Sequence, residues 1–194
     1  YFDQSLSNKK EIFNRGLNLI NYSASQGLWI SCIYMMVHYS NLHEFDKAYN
    51  IYKKIQIKEI PENDVNCKYL IGSFIKILAH SSSKSLMNKD DLSLGVKFLI
   101  DVTENTHLNN KDILAKSNYY LSVIFLNKYL STYNVDKGIK CLHTSCKYGY
   151  VNAFYFIGLL YYDGKIIPKN IGKAYNYILL ASKKDFKEAK VVLG

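Results

Sequence analysis

The chain repeats itself, and this recurrence limits its fold more than any other feature. Near the C-terminal end a small residue, Ala153, is followed by Ile157, Gly158 and Tyr161. A shift of 36, from 153 to 189, gives Ala189 with Leu193 and Gly194. A shift back of 38 gives Ala115 with Tyr119, Tyr120 and Val123. Earlier copies run from Cys67 (Ile71, Gly72, Ile75) and from Ser31 (Met35, Met36, Tyr39). A second half-unit recurs between them: NIGKAYNYILLAS from Asn170, NVDKGIKCLHTSC from Asn134, DLSLGVKFLIDVT from Asp91 and EFDKAYNIYKKIQ from Glu44. A still earlier copy, RGLNLINYSAS, has Gly16 in the slot of Ala48, Gly95, Gly138 and Ala174. Small residues in that slot predict close helix–helix approach. Asn170, Asn134 and Asp91 predict N-caps, because a side-chain oxygen there satisfies an orphan N–H of the first turn.

Each half-unit carries apolar residues at i, i+3, i+4 and i+7, the period of a helix, and no stretch keeps the alternation of a strand. Two short helices cannot bury their apolar faces alone, so the pairs must stack. The sequence therefore predicts an all-α fold, an α-solenoid of antiparallel helix pairs forming a single domain over 1–194. A lone helix is expected at about 9–26, with pairs at about 28–58, 64–105, 111–148 and 151–184. A truncated repeat follows from about 186. The Ser- and Lys-rich stretch HSSSKSLMNKDD is read as an expanded, mobile loop in the second pair. Composition agrees: hydrophobic residues are 48% and charged residues 21% of 194, with only 2 prolines to break long elements. The broken ending AKVVLG, and Tyr1 in first place, read as a piece of a longer protein whose repeats continue.

The segment AFYFIGLLYYDG followed by NIGKAYNYILLAS resembles the Sel-one-like repeat, a relative of the tetratricopeptide repeat. The matching residues are Ala153, Ile157, Gly158, Tyr161, Gly164, Lys173, Ala174, Ala181 and Ala189. The match is specific for this unit, while the other units keep the spacing and lose most of the glycines. The resemblance implies adaptor roles, in which a preformed concave surface holds other proteins together.

Nothing in the pattern calls for catalysis, a metal or a cofactor. No nucleophile elbow, glycine-rich phosphate loop or HExxH motif occurs. The five histidines, His38, His43, His80, His107 and His143, are scattered without ligand spacing. Cys32, Cys67, Cys141 and Cys146 form no CxxC and read as reduced, packed thiols; disulfides between neighbouring helices stay open for an exported chain. The longest apolar run, AFYFIGLLYY, is far short of the roughly 20 residues a bilayer requires.

The net charge of +9 admits nucleic acid, an anionic membrane surface or an acidic protein. Its placement decides between them. In tetratricopeptide-like geometry the first helix of each pair lines the groove, and here those helices are aromatic and apolar. The lysines sit mainly in second helices, Lys47, Lys53, Lys54, Lys97, Lys137, Lys140, Lys173 and Lys183 among them, and read as a solvated convex face. An RNA-reading groove needs basic residues along it, so a protein or peptide is the favoured partner. The alternatives are an RNA-binding repeat protein or a structural subunit of a larger assembly. If that geometry carries over, the groove residues are Asn66, Tyr69, Ser73 and Lys76 in the second pair. In the last pair they are Asn152, Tyr155, Leu159, Tyr162 and Asp163. Leu114, Leu121 and Phe125 take similar places in the third pair, as groove floor or buried by a neighbouring element.

Overall fold

A computed structural model describes residues 2–105 and 108–194, with side chains from Glu11 onward apart from Ser82. His107 lies outside the described residues. Among those described, every regular element is helical. The chain divides into two compact units at Asn88 and Lys89. Unit 1 holds α1 (Phe2–Ser25), α2 (Trp29–Asn41), α3 (Phe45–Tyr52) and α4 (Val65–His80), with 3₁₀ turns at Ile57–Glu59 and Ser82–Leu86. Unit 2 holds α5 (Lys89–Glu104), α6 (Lys111–Phe125), α7 (Val135–Lys147), α8 (Val151–Asp163), α9 (Ile171–Lys183) and α10 (Lys187–Leu193). In unit 2 each helix packs on its neighbours in sequence, the connectivity of an α-solenoid; in unit 1, α2 packs on α1, α3 and α4. The helices expected at 64–105 as one pair, α4 and α5, fall in different units. The Ser/Lys-rich stretch contains a 3₁₀ turn rather than loop alone, started by Ser81 Oγ, which accepts from the Ser83 N–H at 3.1 Å.

Local chemistry explains where these helices begin and end. Asn134 and Asn170 each accept a hydrogen bond from the N–H three residues on, both at 2.9 Å. Asp64 and Asn110 do the same for α4 and α6, at 2.9 and 3.1 Å. Each such cap contributes about 1 kcal/mol. Asp91 does not cap. Helix α5 begins two residues earlier, at Lys89, and Asp91 lies in its first turn with 5% exposure. Helix α8 stops at Gly164, whose φ of 73° is left-handed, a conformation only glycine adopts without cost.

The structure moves the third copy by two residues. The slots of Ala153, Ile157, Gly158 and Tyr161 are filled in α6 by Ser117, Leu121, Ser122 and Phe125, all buried. The expected Tyr119, Tyr120 and Val123 are only half-buried. The repeat distance is thus 36 here as well, from 117 to 153. Two serines hid this register. Ser122 is 0% exposed yet polar in sequence; its Oγ donates back to Tyr119 O at 2.7 Å, which removes most of the cost of burying a hydroxyl. In this register Leu114, Leu121 and Phe125 are core residues, not groove floor.

A recurrent staple locks three of the turns, α2–α3, α6–α7 and α8–α9. The aromatic residue at the end of a first helix accepts, through its carbonyl, the N–H of the residue that heads the second helix. The bonds are Glu44 to Tyr39 at 2.9 Å, Asn134 to Phe125 at 2.8 Å and Asn170 to Tyr161 at 2.9 Å. Three residues on, a lysine lies over the same ring. Lys47 is 5.5 Å from the Tyr39 centroid, Lys137 is 6.0 Å from Phe125 and Lys173 is 5.3 Å from Tyr161. Each contact is worth about 0.5–1 kcal/mol at an exposed site. These three lysines therefore have a structural task beyond solvation.

The small-residue slot brings paired helices together. A Cβ on Gly158 would lie 2.7 Å from Ile178 Cγ1 and 3.3 Å from Ala174 O, and one on Gly138 would lie 2.6 Å from Leu126 Cγ. Beneath them, Leu126, Leu142, Ala153, Ile157 and Leu160 form a core shared by α6–α8 and the turn after α6. Ile178, Ala181 and Ala189 form another among α8–α10. Gly16 departs from the expectation: nothing lies within 4 Å of the Cβ it lacks, so α1 makes no close approach there. Gly158→Ala should lower stability by about 1–3 kcal/mol, whereas Gly16→Ala should raise it by up to about 1 kcal/mol through helix propensity. Denaturant unfolding followed by circular dichroism measures both.

Candidate functional site

The nine groove residues expected from spacing fall into two stripes, one on α4 in unit 1 and one on α8 in unit 2. Steps of three and four place each stripe on one side of its helix, beside the fully buried stripe. On α4, Cys67, Ile71, Phe74, Ile75 and Leu78 enter the core. Asn66 is exposed, and Tyr69, Ser73 and Lys76 are half-buried. Ser73 Oγ donates to Leu70 O at 2.8 Å, so its hydroxyl hydrogen is spent within the helix.

On α8, Asn152, Tyr155 and Leu159 are half-buried, while Tyr162 and Asp163 are exposed. The Tyr155 ring packs on Phe186, with centroids 5.1 Å apart, and so helps seat α10. Tyr162 is 60% exposed; Lys169 Nζ lies 5.6 Å from its ring centroid. Asp163 pairs with Lys165 at 2.9 Å on the surface, an ion pair worth little in water. Asn152 lies on the wall of an open cleft of about 390 Å³ with Asp112, Tyr148, Gly149 and Tyr150. Beside it, Tyr119 meets Tyr150 at 5.2 Å and Phe156 at 6.1 Å. Burial first, then neighbouring tyrosines and Asp112, push the Tyr150 hydroxyl up to about 12.

Unit 1 holds a larger cleft, of about 650 Å³, between the C-terminal ends of α2 and α4. Lys76 lies on its wall with Ser40, His43, Phe45, Ile77 and His80. Burial lowers the pKa of Lys76 and of His80, and in His80 the Lys76 charge adds to the effect. Spacing did not find this cleft. Its histidines come from different elements, and His43 adopts a φ of 59° in the turn between α2 and α3, so only folding brings them to one place.

All four cysteines are free thiols; Cys32 and Cys67 are buried. Burial, followed by the hydrogen bond to Asp64, pushes Cys67 up to about 12, and burial alone does so for Cys146. Among the described residues no group of three His, Cys, Asp or Glu side chains is placed to hold a metal ion. No described helix is long and apolar enough to cross a membrane.

No family model matches the chain, and no curated protein matches it in sequence. A solved structure does. The chain is similar to the crystal structure of a Sel1 repeat protein from Oxalobacter formigenes, at 15% identity and a TM-score of 0.48, over 92% of this chain and 48% of that one. It thus spans about half the length of that protein.

The thiolate is the form that alkylates. With Cys67 and Cys146 at about 12, the thiolate fraction at about pH 8 is on the order of one in ten thousand, against about a quarter for an unperturbed thiol. Iodoacetamide should therefore label these two positions at least about tenfold more slowly in the folded chain than in urea. Peptide mapping of a time course measures the ratio.

Proposed function

We propose that the chain is a non-catalytic scaffold that binds a protein or peptide through the groove stripes of its first helices. The observation that carries this reading is Tyr162, a large aromatic side chain that stands in solvent on a rigid helix beside the rest of its stripe. A tyrosine presented this way offers apolar area and a hydroxyl for little loss of rotamer entropy. A preformed helical surface adds little ordering cost on binding. The Sel-one-like resemblance of the last pair implies the same class of work. Lys47, Lys137 and Lys173 stand on the second helices α3, α7 and α9 and not on the first helices that carry the stripes, which favours a protein over a nucleic acid.

The test is capture from native extract with wild-type chain and with Tyr162→Ala, in nuclease-treated and untreated halves. The reading expects a few proteins retained by the wild type in both halves and depleted by the mutant. The mutant should unfold within a degree or so of wild type, since exposed side chains contribute little to stability. A retained set that vanishes with nuclease would instead favour RNA binding.

A further inference from the structure

We propose that the seam between the second helices α7 and α9 is a docking surface for an acidic peptide segment bound in an extended conformation. Three neighbouring pairs place these helices side by side. The charge of Lys173 reaches His143, Tyr177 lies within electrostatic reach of Cys146, and Lys184 Nζ lies 3.9 Å from the point a Gly149 Cβ would take. The pairs advance together along both helices, so the two run in the same direction. On α7, Lys140, His143 and Lys147 follow at steps of three and four and share one side; on α9, Lys173, Tyr177 and Lys184 share one at steps of four and seven. The four lysines are exposed, with His143 and Tyr177 half-buried between them.

Little negative charge answers these cations. Between Lys137 and Lys184 the only carboxylate is Asp163, which pairs with Lys165 at 2.9 Å. Asp136 stands in the first turn of α7, at the positive end of that helix, and Asp185, just past α9, pairs with Lys190 at 2.6 Å. Among the described residues none of the four lysines has a carboxylate within ion-pair distance. Burial first, then Lys147 and Lys173, lower the His143 pKa, with no carboxylate to offset them. The competing explanation is a solvated face, with Lys147 and Lys184 offsetting the negative ends of α7 and α9. That accounts for neither Lys140, in the middle of α7, nor Lys173, in the first turn of α9, where a cation opposes the dipole. The Tyr161 ring beside Lys173 leaves its charge intact. Length and ring geometry choose the occupant. From Lys173 to Lys184 the helix rises about 16 Å, the span of about five extended residues. Tyr177 is already stacked on Tyr161, with centroids 5.9 Å apart and planes at 7°, so it is a poor platform for the base stacking that single-stranded nucleic acid requires.

This surface is separate from the groove stripes, and its test does not depend on them. Amide-resolved NMR of the full chain at physiological ionic strength is recorded with pentaglutamate, with neutral pentaglutamine and with pentauridylate. The expected result is saturable shifts at His143, Cys146 and Tyr177 with pentaglutamate, while both other probes bind more weakly, pentaglutamine by at least about tenfold. Lys147→Gln combined with Lys184→Gln, one change on each bank, should weaken pentaglutamate about tenfold. Lys97→Gln combined with Lys111→Gln removes the same charge from α5 and α6 and should change affinity less than about twofold. Equal losses in the two double variants would reduce the effect to diffuse charge and overturn the surface. Equal binding of pentaglutamine, or no saturable shift on α7 and α9, would overturn it too. Tighter binding of pentauridylate would reject the peptide in favour of nucleic acid. Lys and Gln have similar helix propensity; if the first double variant still failed to fold, the probe comparison and shift map on the wild type would decide.

Discussion

The close approach of paired helices at the small-residue slot is the constraint on which unit 2 depends. At Gly158 the backbone of α8 lies so near α9 that Ile178 fills the space a Cβ would take. Helices of 13 residues, as α7, α8 and α9 are, are marginal alone in water. Their stability comes from the stripe they bury against neighbours. Every helix must then give one side to the core, and it leaves the stripe next to that side for other work.

In three turns a second device of three parts recurs: a carbonyl, the N–H of the residue that heads the second helix, and a lysine on an aromatic ring. It recurs at Tyr39, Phe125 and Tyr161 with nearly the same hydrogen-bond length. Each part is weak, but together they set where the second helix begins and which way it leaves. The device also bears on function. It holds Lys47, Lys137 and Lys173 beside their rings, each with its charge intact, at a defined place on the second helix.

The unit 1 cleft belongs to neither device. It lies where the ends of α2 and α4 meet the turn at His43. Turns and helix ends are where polar side chains gather without cost to the core. A polar cleft with an unspent hydroxyl is thus compatible with a repeat fold whose packed residues are almost wholly structural.

The helical period, the small-residue slots and the caps at Asn134 and Asn170 were legible in the sequence, because each depends on contacts within a few residues or on the steric size of one side chain. The all-helical class followed from those alone. Other features were decided only by tertiary structure. The spacing placed the α6 slot at Ala115, whereas packing puts Ser117 there; Ser122 is buried in that register with its hydroxyl bonded on its own helix, while the Ser117 hydroxyl is buried unbonded. Gly16 fits the slot by spacing, yet it faces open space because no helix approaches it. Asp91 reads as a cap and lies inside α5. Ser40, His43, Lys76 and His80 are separated by up to forty positions, from 40 to 80. No local rule could place them around one cleft, because the distance between them is set by how α4 stacks on α2.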